Sequence, residues 1–204
     1  MFGTSTVLRT RSYRASVLSG VAMLSACLGG CSFYGPLRVT PIKTHGRVVL
    51  RPRFSTAYYR GGGGNPLNFY FQQNTSLGGG GIIRQIMLMR VFWTPIPGQT
   101  PISRTAINAT FRYIVITPNG AGMYEGAGFV WLHNGGHARV MHATILQGDL
   151  RLTQATAYFR DPLGRARIRG DIAAERSQNK ALTLALQAQR QFFRSTYRHR
   201  AITR

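Results

Sequence analysis

The sequence predicts a mainly β (α+β) domain, an antiparallel β-meander, sandwich or barrel-like, with one C-terminal helix. Three observations predict this class. Short runs of alternating apolar and polar residues fill 105–176, and turn sequences such as Pro118-Asn119-Gly120 separate them. Two four-glycine runs and several prolines interrupt the part before residue 104, which disfavours helices there. Strong helix formers follow one another only near the C-terminus, over 181–192.

The first 32 residues differ in composition from the rest of the chain. Arg9, Arg11 and Arg14 precede a short apolar run, which ends in small residues and two cysteines, Cys27 and Cys31. A positive start, an apolar middle and a small-residue end are the layout of a secretory signal. The apolar run is too short and too rich in Gly and Ser for a membrane span, which needs about 20 apolar residues.

Leu24-Ser25-Ala26-Cys27 and Leu28-Gly29-Gly30-Cys31 each resemble the lipobox of bacterial lipoproteins. The resemblance implies a signal peptide over 1–30 and an acylated cysteine as the first residue of the mature chain. Cys31 follows the longer apolar run, whereas Cys27 has the better-formed box, so both stay open with Cys31 preferred. Neither cysteine is followed by Asp, which in Gram-negative lipoproteins implies transport to the outer membrane. The alternatives are an ordinary secretory signal and a buried helix.

The chain is strongly basic, with 26 Lys and Arg against five Asp and Glu and a formal charge of +21. Removing 1–30, which holds three of the basic residues and none of the acidic ones, leaves 174 residues with a charge of +18. That length suits one domain, 31–204. Such a charge favours contact with polyanions. Outside the cytoplasm these are lipopolysaccharide, anionic headgroups or acidic polysaccharide, and no nucleic acid is expected for a secreted chain.

The domain divides into four parts. We predict an irregular Gly/Pro-rich part over 33–104, a five-stranded meander over 105–176, a helix over 177–196 and a basic tail over 197–204. Within the first part, the two glycine runs bracket an aromatic segment, which is interpreted as a single strand over 67–73 or as a mobile flap.

The meander strands are placed between turn signals, at 107–117, 122–132, 138–146, 150–159 and 165–175. Alternation puts Arg165, Arg167 and Arg169 on one side of the last strand, opposite Ala166 and Ile168. With arginines on neighbouring strands they form a candidate anion-binding face. The candidate residues are Arg112, Arg139, Arg151, Arg165, Arg167 and Arg169. Tyr113, Tyr124 and Tyr158 are candidates to interleave with them.

The predicted helix begins at about residue 178, with Ser177 or Asn179 as its cap. Its spacing groups Leu182, Ala185, Leu186 and Phe193, and we expect this face to pack on the sheet.

Catalytic groups are scarce in this sequence. The chain has five acids, of which Glu125 has the least ordinary setting, and pairing with an arginine across the sheet is its expected role. His133, His137 and His142 lack the carboxylate or thiolate of a usual metal site, so no metal and no cofactor are expected. No nucleophile elbow and no phosphate loop are present.

These observations favour a non-enzymatic, membrane-anchored envelope lipoprotein that binds or braces an anionic envelope component or another envelope protein. Its partners would be the membrane, through N-terminal acyl chains, and lipopolysaccharide, acidic polysaccharide or an envelope protein. The alternatives are a small integral outer-membrane β-barrel and a hydrolase of envelope polymers that uses Glu125 or the His133/His137 pair.

Overall fold

The computed structural model describes residues 36–42, 49–62, 65–77, 81–96, 98–100, 105–133 and 138–200. Cys27, Cys31 and the predicted signal segment lie outside these residues. The described part forms eight strands and one helix, in agreement with the mainly β class and the C-terminal helix that the sequence predicts. The elements are β1 (Arg38–Pro41), β2 (Thr56–Gly62), β3 (Asn65–Ser76), β4 (Ile82–Val91), β5 (Ala109–Thr117), β6 (Gly120–Leu132), β7 (Val140–Ala155), β8 (Ala166–Arg176) and α1 (Gln178–Arg200).

Strand β8 closes the sheet into a ring. One of its edges pairs antiparallel with β7, and its other edge pairs antiparallel with β1 and, near its end, parallel with β2. Strands β2 to β7 pair antiparallel in chain order, so the sheet returns to its own first strand. The result is the barrel-like arrangement within the predicted class.

Apolar side chains fill the inside of the ring. Alternation along each strand sends every second residue inward, as on β8, where Ala166 and Ile168 are fully buried. Aromatic rings supply much of the filling, with Phe69 stacked between Tyr59 and Phe71. Burial of this apolar surface is the main favourable term in folding.

The Gly/Pro-rich part over 33–104 contributes β1 to β4, and β3 includes the strand predicted over 67–73. Of the two glycine runs, the described residues are Gly61 and Gly62, which end β2, and Gly81, which directly precedes β4. Gly61 has φ +107°, and a Cβ there would lie 2.2 Å from the Pro66 carbonyl oxygen, so glycine lets β2 bulge and turn. Between the runs, β3 buries Phe69 and Phe71, which confirms a strand rather than a flap.

The prediction of five strands over 105–176 is wrong, because the described residues place four there. Gln147-Gly148-Asp149 is not a turn but part of β7, which continues through a register shift between Ile145 and Gly148. A Cβ at Gly148 would lie 2.7 Å from Ile168 Cγ2 and 2.8 Å from Phe111 Cε2. Glycine is therefore used at this position for close packing and not for chain reversal.

The helix begins at Gln178, directly after Ser177, whose carbonyl accepts the Ala181 amide. It packs on the outside of the ring, but through a different face from the predicted one. The buried residues are Ala181, Leu184, Ala188 and Phe192. Leu182, Leu186 and Phe193 are each nearly half exposed. Two small alanines let the helix axis approach the strands closely, which turns the bulkier residues outward.

Two tyrosines inside the ring are held away from water. Burial raises the pKa of Tyr113 above its ordinary value of 10.0, and its hydroxyl donates a hydrogen bond to Gln85 Oε1. Burial first, and then the hydrogen bond to the Asp161 carboxylate, raises the pKa of Tyr124. Both groups stay protonated in the folded chain at a pH where the unfolded chain ionises them.

We therefore expect stability to fall as the pH rises above about 10, because the unfolded state loses protons that the folded state keeps. Each tyrosine contributes a slope of about 1.4 kcal/mol per pH unit. Urea unfolding between pH 8 and 11 measures this slope. Burial raises the pKa of Tyr59 as well, so Tyr113→Phe should remove about a third of the slope, whereas Tyr158→Phe, at an exposed position, should leave it unchanged. An equal slope in all three chains would contradict the assignment.

Candidate functional site

The outer surface of strands β5 to β8 and β1 carries a contiguous group of arginines, named here the arginine face. On β8 the predicted alternation is confirmed: Arg165, Arg167 and Arg169 are exposed, and the residues between them are buried. Arg112 on β5 and Arg151 on β7 are exposed as well, and both lie opposite Glu125 of the intervening strand. The arginine face consists of Arg38, Arg112, Arg151, Arg165, Arg167 and Arg169.

Strand register places arginines directly opposite one another on this face. Arg38 of β1 pairs with Arg169 of β8. Arg151 and Arg165 each come one position beyond the pair formed by Leu150 and Ala166. Like charges opposite each other in a sheet are destabilising, so an anion that bridges them relieves a repulsion already present in the fold.

Acidic side chains on the arginine face offset part of its charge. Glu125 Oε1 accepts from Arg112, with Nε and Nη2 both at 2.8 Å. This is the cross-sheet ion pair that the sequence predicts, and both side chains remain partly exposed. The Asp149 carboxylate lies 3.9 Å from Arg165 Nη2 and 3.8 Å from Arg167 Nε, beyond hydrogen-bonding distance. Asp171 lies on the same side of β8, two residues after Arg169. Among the described residues, the face therefore holds six arginines against three acids.

Arg139 does not join this face. It immediately precedes β7, and its carbonyl accepts the amide of Arg176, the last residue of β8. Arg139 and Arg151 therefore lie near opposite ends of β7. The sequence analysis divided β7 into two strands, and therefore did not predict that Arg139 and Arg151 lie far apart along one strand.

The tyrosines do not interleave with the arginines, contrary to expectation. Tyr113 and Tyr124 point into the ring, and both are fully buried. Tyr158 is exposed, but it lies in the segment between β7 and β8 rather than on a strand.

Two of the described acids are held by other groups of the chain. Glu125 is engaged by Arg112, and Asp161 accepts from Tyr124 and from the Leu163 and Gly164 amides. His137 lies outside the described residues. Within the described part of the chain, no group of three His, Cys, Asp or Glu could hold a metal ion.

One hydrogen-bonded chain on the outside of the ring was not predicted. The Thr144 hydroxyl donates to Asp171 Oδ1 at 2.7 Å, and its oxygen lies 2.7 Å from His133 Nε2. Because the Thr144 hydroxyl donates its hydrogen to Asp171, its oxygen accepts the hydrogen bond from His133 Nε2. Thr144 is 2% exposed, so its hydroxyl is out of reach of a substrate. This cluster ties β7 to β8 and is not a nucleophilic site.

A cavity of about 720 Å³ adjoins the arginine face, between α1 and strands β3 to β6. Leu88, Ile114 and Met123 from the strands and Phe192 from the helix provide apolar lining. Arg90, Arg112 and Glu125 also line it, so the cavity is continuous with the charged surface. Its volume is within the range of small-molecule sites.

Arg38 and Arg90 are the functional candidates that sequence reasoning missed. Both are exposed and lie on strands, Arg38 on β1 and Arg90 on β4. The alternation of Leu37, Arg38 and Val39, and of Met89, Arg90 and Val91, was the available signal.

No family model, no curated protein and no solved structure matches this chain. In the described part of the chain, no helix has the length and apolar character needed to cross a membrane.

Proposed function

We propose that this protein is a membrane-anchored lipoprotein of the bacterial envelope, non-enzymatic, whose arginine face binds an anionic envelope component. The phosphates of lipopolysaccharide and the carboxylates or sulfates of an acidic polysaccharide are the chemistries that suit it. The anchor is argued from the lipobox-like sequences that end in Cys27 and Cys31.

One observation carries the binding proposal, namely the excess of six arginines over three acids on one contiguous surface. The fold does not need these side chains for its core, since the residues that alternate with them fill the ring. Guanidinium groups bind phosphate and carboxylate through several N–H donors in one plane. A bound anion also relieves the repulsion between arginines that lie opposite each other on neighbouring strands, which makes the free energy of binding more favourable.

The experiment is equilibrium binding of the purified protein to lipopolysaccharide and to heparin over a series of salt concentrations. We expect affinity to fall steeply and continuously with salt, because exposed charges are screened within about 10 Å at 0.1 M. Neutral dextran serves as the control and should not bind. Binding that persists unchanged in molar salt, or that is absent at low salt, would contradict the proposal.

A further inference from the structure

Three bulky apolar residues of α1 stay exposed, and one of them, Phe193, lines the cavity. Leu182, Leu186 and Phe193 are 45%, 46% and 48% exposed. Their spacing of four and seven residues places them on one side of α1. Gln189 lies three residues after Leu186 and four before Phe193, hence on the same side, and it lines the cavity. The exposed apolar stripe therefore runs along the cavity.

The cavity wall continues this apolar surface onto the strands. Phe192 packs with Ile86, Ile114 and Met123, and Leu88 lies against the same cluster. Phe193 lines the cavity and meets Phe192 edge to face, with ring centroids 6.2 Å apart. An exposed apolar strip along an open cavity is typical of a binding site for an apolar ligand.

Positive charge lies within the same cavity. Arg90 and Arg112 both line it, and Arg90 forms no salt bridge with a carboxylate of the described residues. Arg112 is paired with Glu125, which also lies opposite Arg151 of the arginine face. A ligand that matches both features has an acyl chain and an anionic head.

We infer that the cavity between α1 and β3 to β6, with the stripe of Leu182, Leu186 and Phe193, binds the acyl chain of an anionic amphiphile whose phosphate contacts Arg90 and Arg112. This inference rests on the proposed function and specifies its ligand class, a phosphorylated lipid rather than a purely polar polysaccharide.

The test uses the full chain with Cys27→Ser and Cys31→Ser, which has no thiol to acylate. The probe is lysophosphatidylglycerol below its micelle-forming concentration, with acyl chains of 8, 10 and 12 carbons, titrated by calorimetry. We expect affinity to rise about tenfold for each pair of buried methylenes. The heat-capacity change should be negative, which is the marker of apolar burial.

Two variants with the same substitution localise the binding. Gln189 and Gln187 are both exposed, but only Gln189 lines the cavity, and the two lie on nearly opposite sides of the helix. Gln189→Trp fills the cavity and should weaken the 12-carbon probe at least tenfold, whereas Gln187→Trp should stay within twofold. Arg90→Gln should weaken it about fivefold and reduce its salt dependence.

The outcomes separate the inference from the proposed function. Affinity that depends on neither chain length nor Gln189→Trp overturns the acyl site and leaves the arginine face standing. Equal affinity for lysophosphatidylcholine overturns the anionic specificity. A wild-type dimer that Gln189→Trp dissociates assigns the stripe to a second copy and overturns the inference. Failure to bind both lysophosphatidylglycerol and heparin overturns the inference and the proposed function together.

Discussion

Substituting Cys31 by alanine is expected to abolish acylation and release the protein from its membrane anchor. The expectation follows from the resemblance of Leu28-Gly29-Gly30-Cys31 to a lipobox, since in bacterial lipoproteins the cysteine thiol of that box accepts the lipid. Two or more acyl chains hold a protein firmly on a bilayer, because each buried methylene contributes about 0.8 kcal/mol. Loss of the thiol is therefore expected to abolish membrane anchoring rather than to weaken it.

The intact mass of membrane-extracted protein measures this effect. Wild-type protein is expected to begin at the modified cysteine, with a mass that includes the acyl chains. Cys27→Ala is the matched variant, since it removes the other thiol of the chain. Loss of acylation in Cys27→Ala alone would move the anchor to that residue. An unacylated chain that begins at Met1 would contradict the lipoprotein assignment, and its charge of +21 would then call for a test on nucleic acid.

Alternation predicted the arginine face correctly wherever strand boundaries were right. On β8 the pattern Arg165-Ala166-Arg167-Ile168-Arg169 specifies which side chains point outward, because successive residues of a strand point to opposite faces. The pairing of Arg112 with Glu125 was likewise predicted. Local pattern carries this information without knowledge of the tertiary fold.

The wrong strand boundary within β7 arose because a glycine can indicate either a turn or close packing. Gln147-Gly148-Asp149 has the composition of a turn, but its glycine is needed for packing against Phe111 and Ile168. Nothing within the segment distinguishes these uses, because the constraint comes from residues distant in sequence. Division of β7 at this point placed Arg139 and Arg151 on neighbouring strands, although both belong to one continuous strand region, near its opposite ends.

The cavity was beyond the reach of sequence reasoning because it depends on how the helix is seated. Periodicity groups Leu182, Leu186 and Phe193 on a face that looks suited to burial. The helix instead buries Ala181 and Ala188, which permit a close approach to the strands. Which of two neighbouring faces is buried depends on the shape of the partner surface, and no local pattern encodes that shape.

If the arginine face binds polyanions, the loss of binding in a variant should depend on which arginines are replaced and not on how many charges are removed. The triple variant R165Q/R167Q/R169Q removes three exposed guanidinium groups from the face. Each basic residue near an anionic surface contributes about 1 kcal/mol, so the variant should bind lipopolysaccharide about 100-fold more weakly. These side chains lie outside the core, and the free energy of unfolding should change little.

A charge-matched control tests this central claim most directly. R139Q/R176Q/R190Q removes the same three charges from exposed positions outside the arginine face. The decisive measurement is the dissociation constant for lipopolysaccharide at 0.1 M salt for wild type and both triple variants. We expect about a 100-fold loss for R165Q/R167Q/R169Q and less than a fivefold loss for the control. Equal losses in the two variants would show that binding follows net charge alone, and would contradict a dedicated arginine face.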